Sequence, residues 1–272
     1  MVNMEYIKNF IYGALIGIAN AIPGVSGGTM AVILNIYDKI MYAVSLKNLK
    51  KHLMFLIPLA IGAIAGIFAL SNVIVSLLDS HPMLLNFCFI GLVLGSIPSI
   101  YKKARDQKLK PRNLVLGIIA LAFMLFISYL NQGEITNKSL ADFGGISFGL
   151  CLWIFAAVAI STIAMILPGI SGSLMMLLMG IYAVVMEAVA SINLILMIPI
   201  GLGVIVGLVV GIKVIKKMLR FHPQALYFII LGLVAGSVFA IYPGFTVSAE
   251  GFASLGGLAI FALLAYFLSS RK

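Results

Sequence analysis

The chain has 272 residues, of which 62% are hydrophobic and 10% charged, with a formal net charge of +10. A soluble domain carries about 25% charged residues, so a water-soluble globule is excluded and a bilayer-embedded one is implied. The positive residues sit in short clusters between apolar runs, which is the charge bias of membrane loops and argues against a nucleic-acid partner.

The first apolar stretch, residues 6–46, is interrupted at Pro23-Gly24-Val25-Ser26-Gly27-Gly28. Pro removes a backbone donor and Gly releases the φ restraint, so one helix stops there and another begins. Three runs of spanning length follow, over 53–78, 83–100 and 113–130. About 20 residues are needed to cross a bilayer. After a polar linker, 131–144, comes a second interrupted stretch over 147–190, broken at Pro168-Gly169-Ile170-Ser171-Gly172-Ser173. Spans over 193–215, 224–242 and 251–268 complete the chain. His81-Pro82 and His222-Pro223 each open a span, with Pro at a first helical turn. Cys88 and Cys151 lie in apolar segments without metal or redox spacing, and nothing calls for a cofactor or metal. The N-terminus lacks the basic region and cleavage site of a signal peptide.

The order of elements repeats. At an offset of 145, Pro23, Gly24, Ser26, Gly27, Tyr37 and Met41 align with Pro168, Gly169, Ser171, Gly172, Tyr182 and Met186. At an offset of 141, Pro58, Gly62, Gly66, His81, Pro82, Gly91 and Gly95 align with Pro199, Gly203, Gly207, His222, Pro223, Gly232 and Gly236. The expected architecture is therefore an all-α integral membrane protein with about six full spans and two broken, re-entrant hairpins. Repeat one covers 1–130 and repeat two 145–272, within a single membrane domain. If each broken stretch enters and leaves on one side, each repeat makes an odd number of crossings and the second copy is inverted. All basic clusters then fall on the cytoplasmic side with both termini. These are Lys47, Lys50 and Lys51; Lys102 to Arg112; Lys213 to Arg220; and Arg271 with Lys272. The loops carrying Asp79, Glu134, Asp142 and Glu250 fall outside.

Inverted repeats with broken helices are the build of secondary transporters, whose site lies between the repeats. A half-helix starting inside the membrane offers free N–H groups and the positive end of its dipole. Ser26, Gly27, Gly28 and Thr29 open one such half-helix, and Ser171, Gly172 and Ser173 the other. Glycines admit a ligand to the backbone and hydroxyls add donors, which makes an anion site of the phosphate or carboxylate kind. Tyr37 and Tyr182 are expected to anchor the second arms at the interface or to donate to a head group. Asp38 and Glu187 are candidates for coupling. Three functions compete: a lipid-phosphate transporter, a carrier of a small soluble anion, and an intramembrane serine hydrolase using a Gly-x-Ser-Gly serine. The last needs a general base, and His52, His81 and His222 all lie at expected membrane edges.

Asn20-Ala21-Ile22-Pro23-Gly24-Val25-Ser26-Gly27-Gly28-Thr29 with Ile36-Tyr37-Asp38 resembles the first motif of a bacterial membrane family. Met165-Ile166-Leu167-Pro168-Gly169-Ile170-Ser171-Gly172-Ser173 with Gly180-Ile181-Tyr182 resembles its second. The family is that of the polyprenyl-phosphate, or undecaprenyl-phosphate, translocases, and the resemblance covers essentially the whole chain. It implies a substrate that is a polyprenyl phosphate lipid, returned from the outer to the inner leaflet of the bacterial cell membrane for cell-wall synthesis. It implies a transporter and not an enzyme, with Asn20 and the residues of both Pro-Gly motifs at the substrate. The family's first motif often has an acid where this chain has Asn20, and the second copy has Ala183 where the first has Asp38.

Overall fold

The computed structural model describes residues 2–21, 26–45, 48–105, 109–131 and 139–270. Pro23 and Gly24 of the first motif, and Lys47, Lys108, Glu134, Arg271 and Lys272 of the charge pattern, lie outside the described residues. Among the described residues twelve α-helices run in the order α1 (Val2–Ala21), α2 (Gly27–Ile33), α3 (Tyr37–Ala43), α4 (Leu53–Ser80), α5 (Pro82–Ala104) and α6 (Pro111–Asn131). They continue as α7 (Phe148–Ile166), α8 (Gly172–Leu178), α9 (Tyr182–Ala190), α10 (Leu194–Phe221), α11 (Pro223–Ile241) and α12 (Ala249–Ser270). The second six repeat the first six in kind: long, short, short, then three long. Among the described residues seven helices are long and apolar enough to cross a membrane, one more than the apolar runs suggest. The additional helix is α7. The interrupted stretch 147–190 is a full-length helix followed by two short ones, because the break at Pro168 falls after nineteen helical residues.

Local chemistry sets the ends. Pro82 and Pro223 begin α5 and α11, each after a histidine outside the helical conformation. The Ser147 hydroxyl and the Asn193 carboxamide oxygen accept amide N–H groups at the starts of α7 and α10. The turn between α2 and α3 is made by Leu34, Asn35 and Ile36 amides donating to Met30, Val32 and Ala31. Met179, Gly180 and Ile181 repeat this pattern on Met175, Leu177 and Met176 between α8 and α9. It is a left-handed helix cap, held by Gly180 at φ 69° in the second copy and by Asn35 at φ 56° in the first. Across it α8 and α9 bend by 114°.

Glycine contacts reveal the directions of the long helices. A Cβ on Gly13 would stand 2.0 Å from the Leu59 carbonyl oxygen, and one on Gly17 2.0 Å from that of Ala63. The residue numbers rise together, so α1 and α4 run parallel. Gly203 against Phe155 and Gly207 against Ala159 make α7 and α10 parallel in the same way. Each broken stretch therefore starts and finishes at one end of the molecule, with its two short helices returning the chain. Gly91 and Gly95 press on Leu258 and Ala262, so α5 runs parallel to α12; Gly232 and Gly236 press on Gly117 and Met124, so α11 runs parallel to α6. Because α12 is the counterpart of α6 yet follows α5, the second copy runs opposite to the first.

The same pairings collect the cations. Lys103 of α5 reaches Asp38 of α3 and Tyr227 of α11; the Lys110 amide and Asn113 donate to Gln224; Lys216 of α10 donates to Ser45. The described lysines and arginines of the loop clusters thus lie at one end. Asp142 in the linker, Glu187 near the end of α9 and Glu250 in the first turn of α12 lie at the opposite end, where Thr246 meets Met83 and Phe245 meets Phe87.

This packing depends on bare backbone. A Cβ on Gly62 would meet the Phe10 carbonyl oxygen at 2.0 Å, whereas one on Gly256 would meet nothing. Gly62→Leu is expected to cost about 1–3 kcal/mol of stability by overpacking, read as a fall in melting temperature of the purified protein. Gly256→Leu, on an exposed face of α12, is expected to leave it unchanged or raised.

Candidate functional site

The two motifs, separated by more than half the chain, meet inside the molecule. The Gly169 amide donates to the Thr29 hydroxyl at 2.9 Å. A Cβ on Gly28 would stand 3.3 Å from the Pro168 Cα. The starts of α2 and α8 thus face a common centre, which is where a transporter of this build places its substrate.

The two halves of that centre differ. On the first, the Gly27 amide donates to the Asn20 carboxamide oxygen at 2.9 Å, and the Gly28 amide to the Ser26 hydroxyl at 3.1 Å. Ser26 is 4% exposed and Thr29 2%. The Gly27 and Gly28 amides, expected to be free for an anion, are here satisfied by Asn20 and Ser26. On the second half, Ser171 precedes α8 without capping it by a side chain, and the Ser171 and Ser173 hydroxyls pair at 2.8 Å. Ser173 is exposed and Gly172 is buried against the flexible side chain of Met165. Of the candidate binding residues, the second copy's hydroxyls are the open ones.

Gly169 is a glycine for two reasons. Its φ is +94°, and a Cβ there would lie 2.7 Å from the Leu233 carbonyl carbon in α11. The break therefore nests directly against the backbone of a spanning helix.

The remaining candidates fall in three places. Tyr37 is 2% exposed, and its hydroxyl donates to the Ile166 carbonyl at 3.2 Å. It is not an interfacial anchor, as its apolar setting suggested, but a cap on the last turn of α7, where carbonyls lack intrahelical partners. Tyr182 begins α9 half-buried. Glu187 is exposed and accepts the Leu140 amide at 3.3 Å, so it ties α9 to the linker at the acidic end. Asp38 accepts from the Lys103 ammonium at 3.0 Å and from the Tyr227 hydroxyl. Lys103 and Tyr227 escaped sequence reasoning, although an acid in an apolar stretch implies a cation nearby. Among the described residues His52, His81 and His222 stand at helix starts, and the contacts of His52 and His81 are with Tyr42 and Ser80.

The bond between the breaks gives a direct expectation. Thr29→Val keeps the shape but leaves the buried Gly169 N–H without an acceptor. It should cost about 1–3 kcal/mol, measured by thermal unfolding in detergent. Thr29→Ser, which keeps the hydroxyl, should lose clearly less. Equal losses would place the role of Thr29 in its methyl group.

Comparison with known proteins follows this geometry. A polyprenyl-phosphate transporter of Staphylococcus aureus (strain NCTC 8325 / PS 47) is 32% identical over 246 residues, covering 87% of this chain and 86% of that one. A polyprenyl-phosphate transporter of Vibrio cholerae serotype O1 (strain ATCC 39315 / El Tor Inaba N16961) is 30% identical over 257 residues, covering 88% and 79%. No solved structure matches the chain. Residues 16–256, which include both breaks and reach into the first turns of α12, match one family throughout. The chain belongs to the VCA0040-like family, the undecaprenyl phosphate translocase-like proteins.

Proposed function

We propose that this protein carries a polyprenyl phosphate across the bilayer, returning it from the outer to the inner leaflet of the cell membrane for reuse in cell-wall synthesis. The observation that carries the reading is the meeting of the two breaks at the Thr29–Gly169 hydrogen bond. It supports one central site shared by two opposed hairpins. The names of the relatives supply the substrate class. An unpaired phosphate in hydrocarbon is very costly, so donors must surround it. In this reading the phosphate engages the starts of α2 and α8, at Ser26, Gly27, Gly28 and Thr29 with Ser171, Gly172 and Ser173, and the prenyl tail stays in lipid. In the same reading Asn20, Pro23, Gly24, Pro168 and Gly169 belong to the substrate site. Movement of one repeat against the other exposes the halves in turn. The closed first half and the open Ser171–Ser173 pair fit one stage of such a cycle.

The repeats are taken as 1–130 and 145–272, with the basic end cytoplasmic. In intact cells a membrane-impermeant thiol reagent should label Asp142→Cys and spare Lys110→Cys. The reverse pattern would invert the assignment and with it the direction of transport.

Transport itself is tested in proteoliposomes with a fluorescent short-chain polyprenyl phosphate whose leaflet is read by quenching. The protein should speed leaflet exchange over empty vesicles. Ser171→Ala combined with Ser173→Ala should weaken binding about tenfold to a hundredfold, the worth of lost hydrogen bonds to a charged group. Exchange no faster than in empty vesicles, alongside uptake of a soluble phosphate compound, would favour a small-anion carrier instead.

A further inference from the structure

The two copies share a skeleton but differ sharply at one place. At the basic end of the first copy, α1, α3 and the start of α4 enclose a cavity of about 270 Å³. Its lining includes Glu5, Asn9, Lys39, Lys51, His52 and Phe55. At the offset of 145, Glu5, Asn9 and Lys39 correspond to Leu150, Ile154 and Val184; at 141, Phe55 corresponds to Leu196. Those four counterparts form one buried apolar cluster in the second copy. The same helices therefore pack dry in one copy and around a charged cavity in the other. The scaffold does not demand the cavity, and apolar residues would fill it at no cost to the fold.

The lining has the chemistry of an anion site. Lys39 and Lys51 set two cations against the single carboxylate of Glu5. The Lys39 ammonium lies 3.5 Å from Glu5 and 4.2 Å from the centre of the Phe55 ring, so one flank is shielded from water. The His52 ring is held edge-on against Tyr42, with centroids 5.5 Å apart. Asn9 is 5% exposed, lines the cavity and makes no hydrogen bond among the described residues. The cavity leaves the Asn9 carboxamide accessible to water or to another polar occupant. At the mouth, Met54, Ile57 and Ile61 form an exposed apolar stripe along α4, at helical spacing. A chain attached to the occupant can lie along that stripe while its head sits among the lysines.

We propose that this cavity is a phosphomonoester-binding site, separate from the hairpin breaks, that holds a lipid head group at the basic end of the first copy. Lys39 and Lys51 pair with the phosphate oxygens, and the Asn9 amide donates to them from the buried side. The site stands whether or not the breaks bind substrate. If they do, it serves as a second station for the head group on the basic side. Free inorganic phosphate shares the head-group chemistry, and the apolar stripe favours the lipid.

The test reads the cavity locally. Met54→Cys, on the rim, is alkylated with a small soluble maleimide in full-length protein in nanodiscs, and modification is followed at that peptide by mass spectrometry. Farnesyl phosphate should slow the reaction, and farnesol should not. Lys51→Met, an exposed change, should raise the protecting concentration about tenfold to a hundredfold, as expected for loss of a charge-assisted contact. Asn9→Ile with Lys39→Val, which copies the dry counterpart, should abolish protection. The Lys51→Met result carries the test if that double variant fails to fold. Protection by inorganic phosphate in the same concentration range as farnesyl phosphate would support the site with free phosphate as its source. A clear advantage for farnesyl phosphate supports the lipid. Absence of protection, equal protection by farnesol, or protection that survives both lysine changes would overturn the proposal. Ser171→Ala with Ser173→Ala should leave protection intact while slowing transport, which separates failure of this site from failure of the hairpin reading. Loss of protection in that variant would refute a separate site.

Discussion

The structure depends on satisfying broken backbone away from water. A helix that stops inside a bilayer leaves amides and carbonyls that hydrocarbon cannot serve. Here the breaks serve one another. Thr29 of the first accepts the Gly169 amide of the second, Tyr37 caps the carbonyl of Ile166, and Asn20 closes back onto Gly27. Neither break is complete alone, so the hydrogen bonding that makes the interruptions tolerable also fixes the two copies against each other at their centre.

The long helices reinforce this interdependence. α1 with α4 and α7 with α10 pair within a copy, but α5 pairs with α12 and α6 with α11 across copies. All four pairs use glycines whose missing Cβ lets backbones approach closely, the main source of helix association in lipid, where no hydrophobic force separates helix from solvent. The Asp38, Lys103 and Tyr227 cluster then joins α3, α5 and α11 at the basic end. A hairpin arm of the first copy is thereby tied to a helix of the second, so a shift of either repeat must rearrange that cluster.

Much of this was legible in the sequence because bilayers impose local rules. Span lengths, the Pro at the starts of α5 and α11, the two Pro-Gly breaks and the repeat all follow from hydropathy and from what Pro and Gly do to a backbone. The clustering of Lys and Arg foretold which loops share an end. What stayed hidden is what depends on contact between distant segments. Nothing local says that Tyr37 turns inward to a carbonyl 129 residues away. Nothing local says that Asp38 finds Lys103 and Tyr227. A Pro-Gly break between two hairpin arms does not say whether an arm spans the bilayer; α7, which ends just before Pro168, is long enough to do so. Satisfaction of the Gly27 amide was invisible for the same reason, since Asn20 reaches it only once α1 has ended beside α2.

An inverted repeat makes two equivalent half-sites, and a symmetric protein would present the same chemistry to both leaflets. This chain keeps symmetry where the backbone needs it, in the breaks, the left-handed turns and the glycine seams. It abandons symmetry where charge meets the membrane surfaces. Asp38 faces Ala183 across the repeat, Tyr42 faces Glu187, and the polar wall of Glu5, Asn9 and Lys39 faces Leu150, Ile154 and Val184. Each difference places polar or charged groups at one end only. Under the proposed function, a lipid phosphate moving between leaflets would meet different partners at its two stops even though the path between them is built from copies. Differences in affinity between the stops can bias occupancy of the two states, since a ligand shifts an equilibrium only by what distinguishes its binding to each. On that proposal the asymmetric residues would set which stop holds the head group more tightly, and the symmetric ones would let it pass.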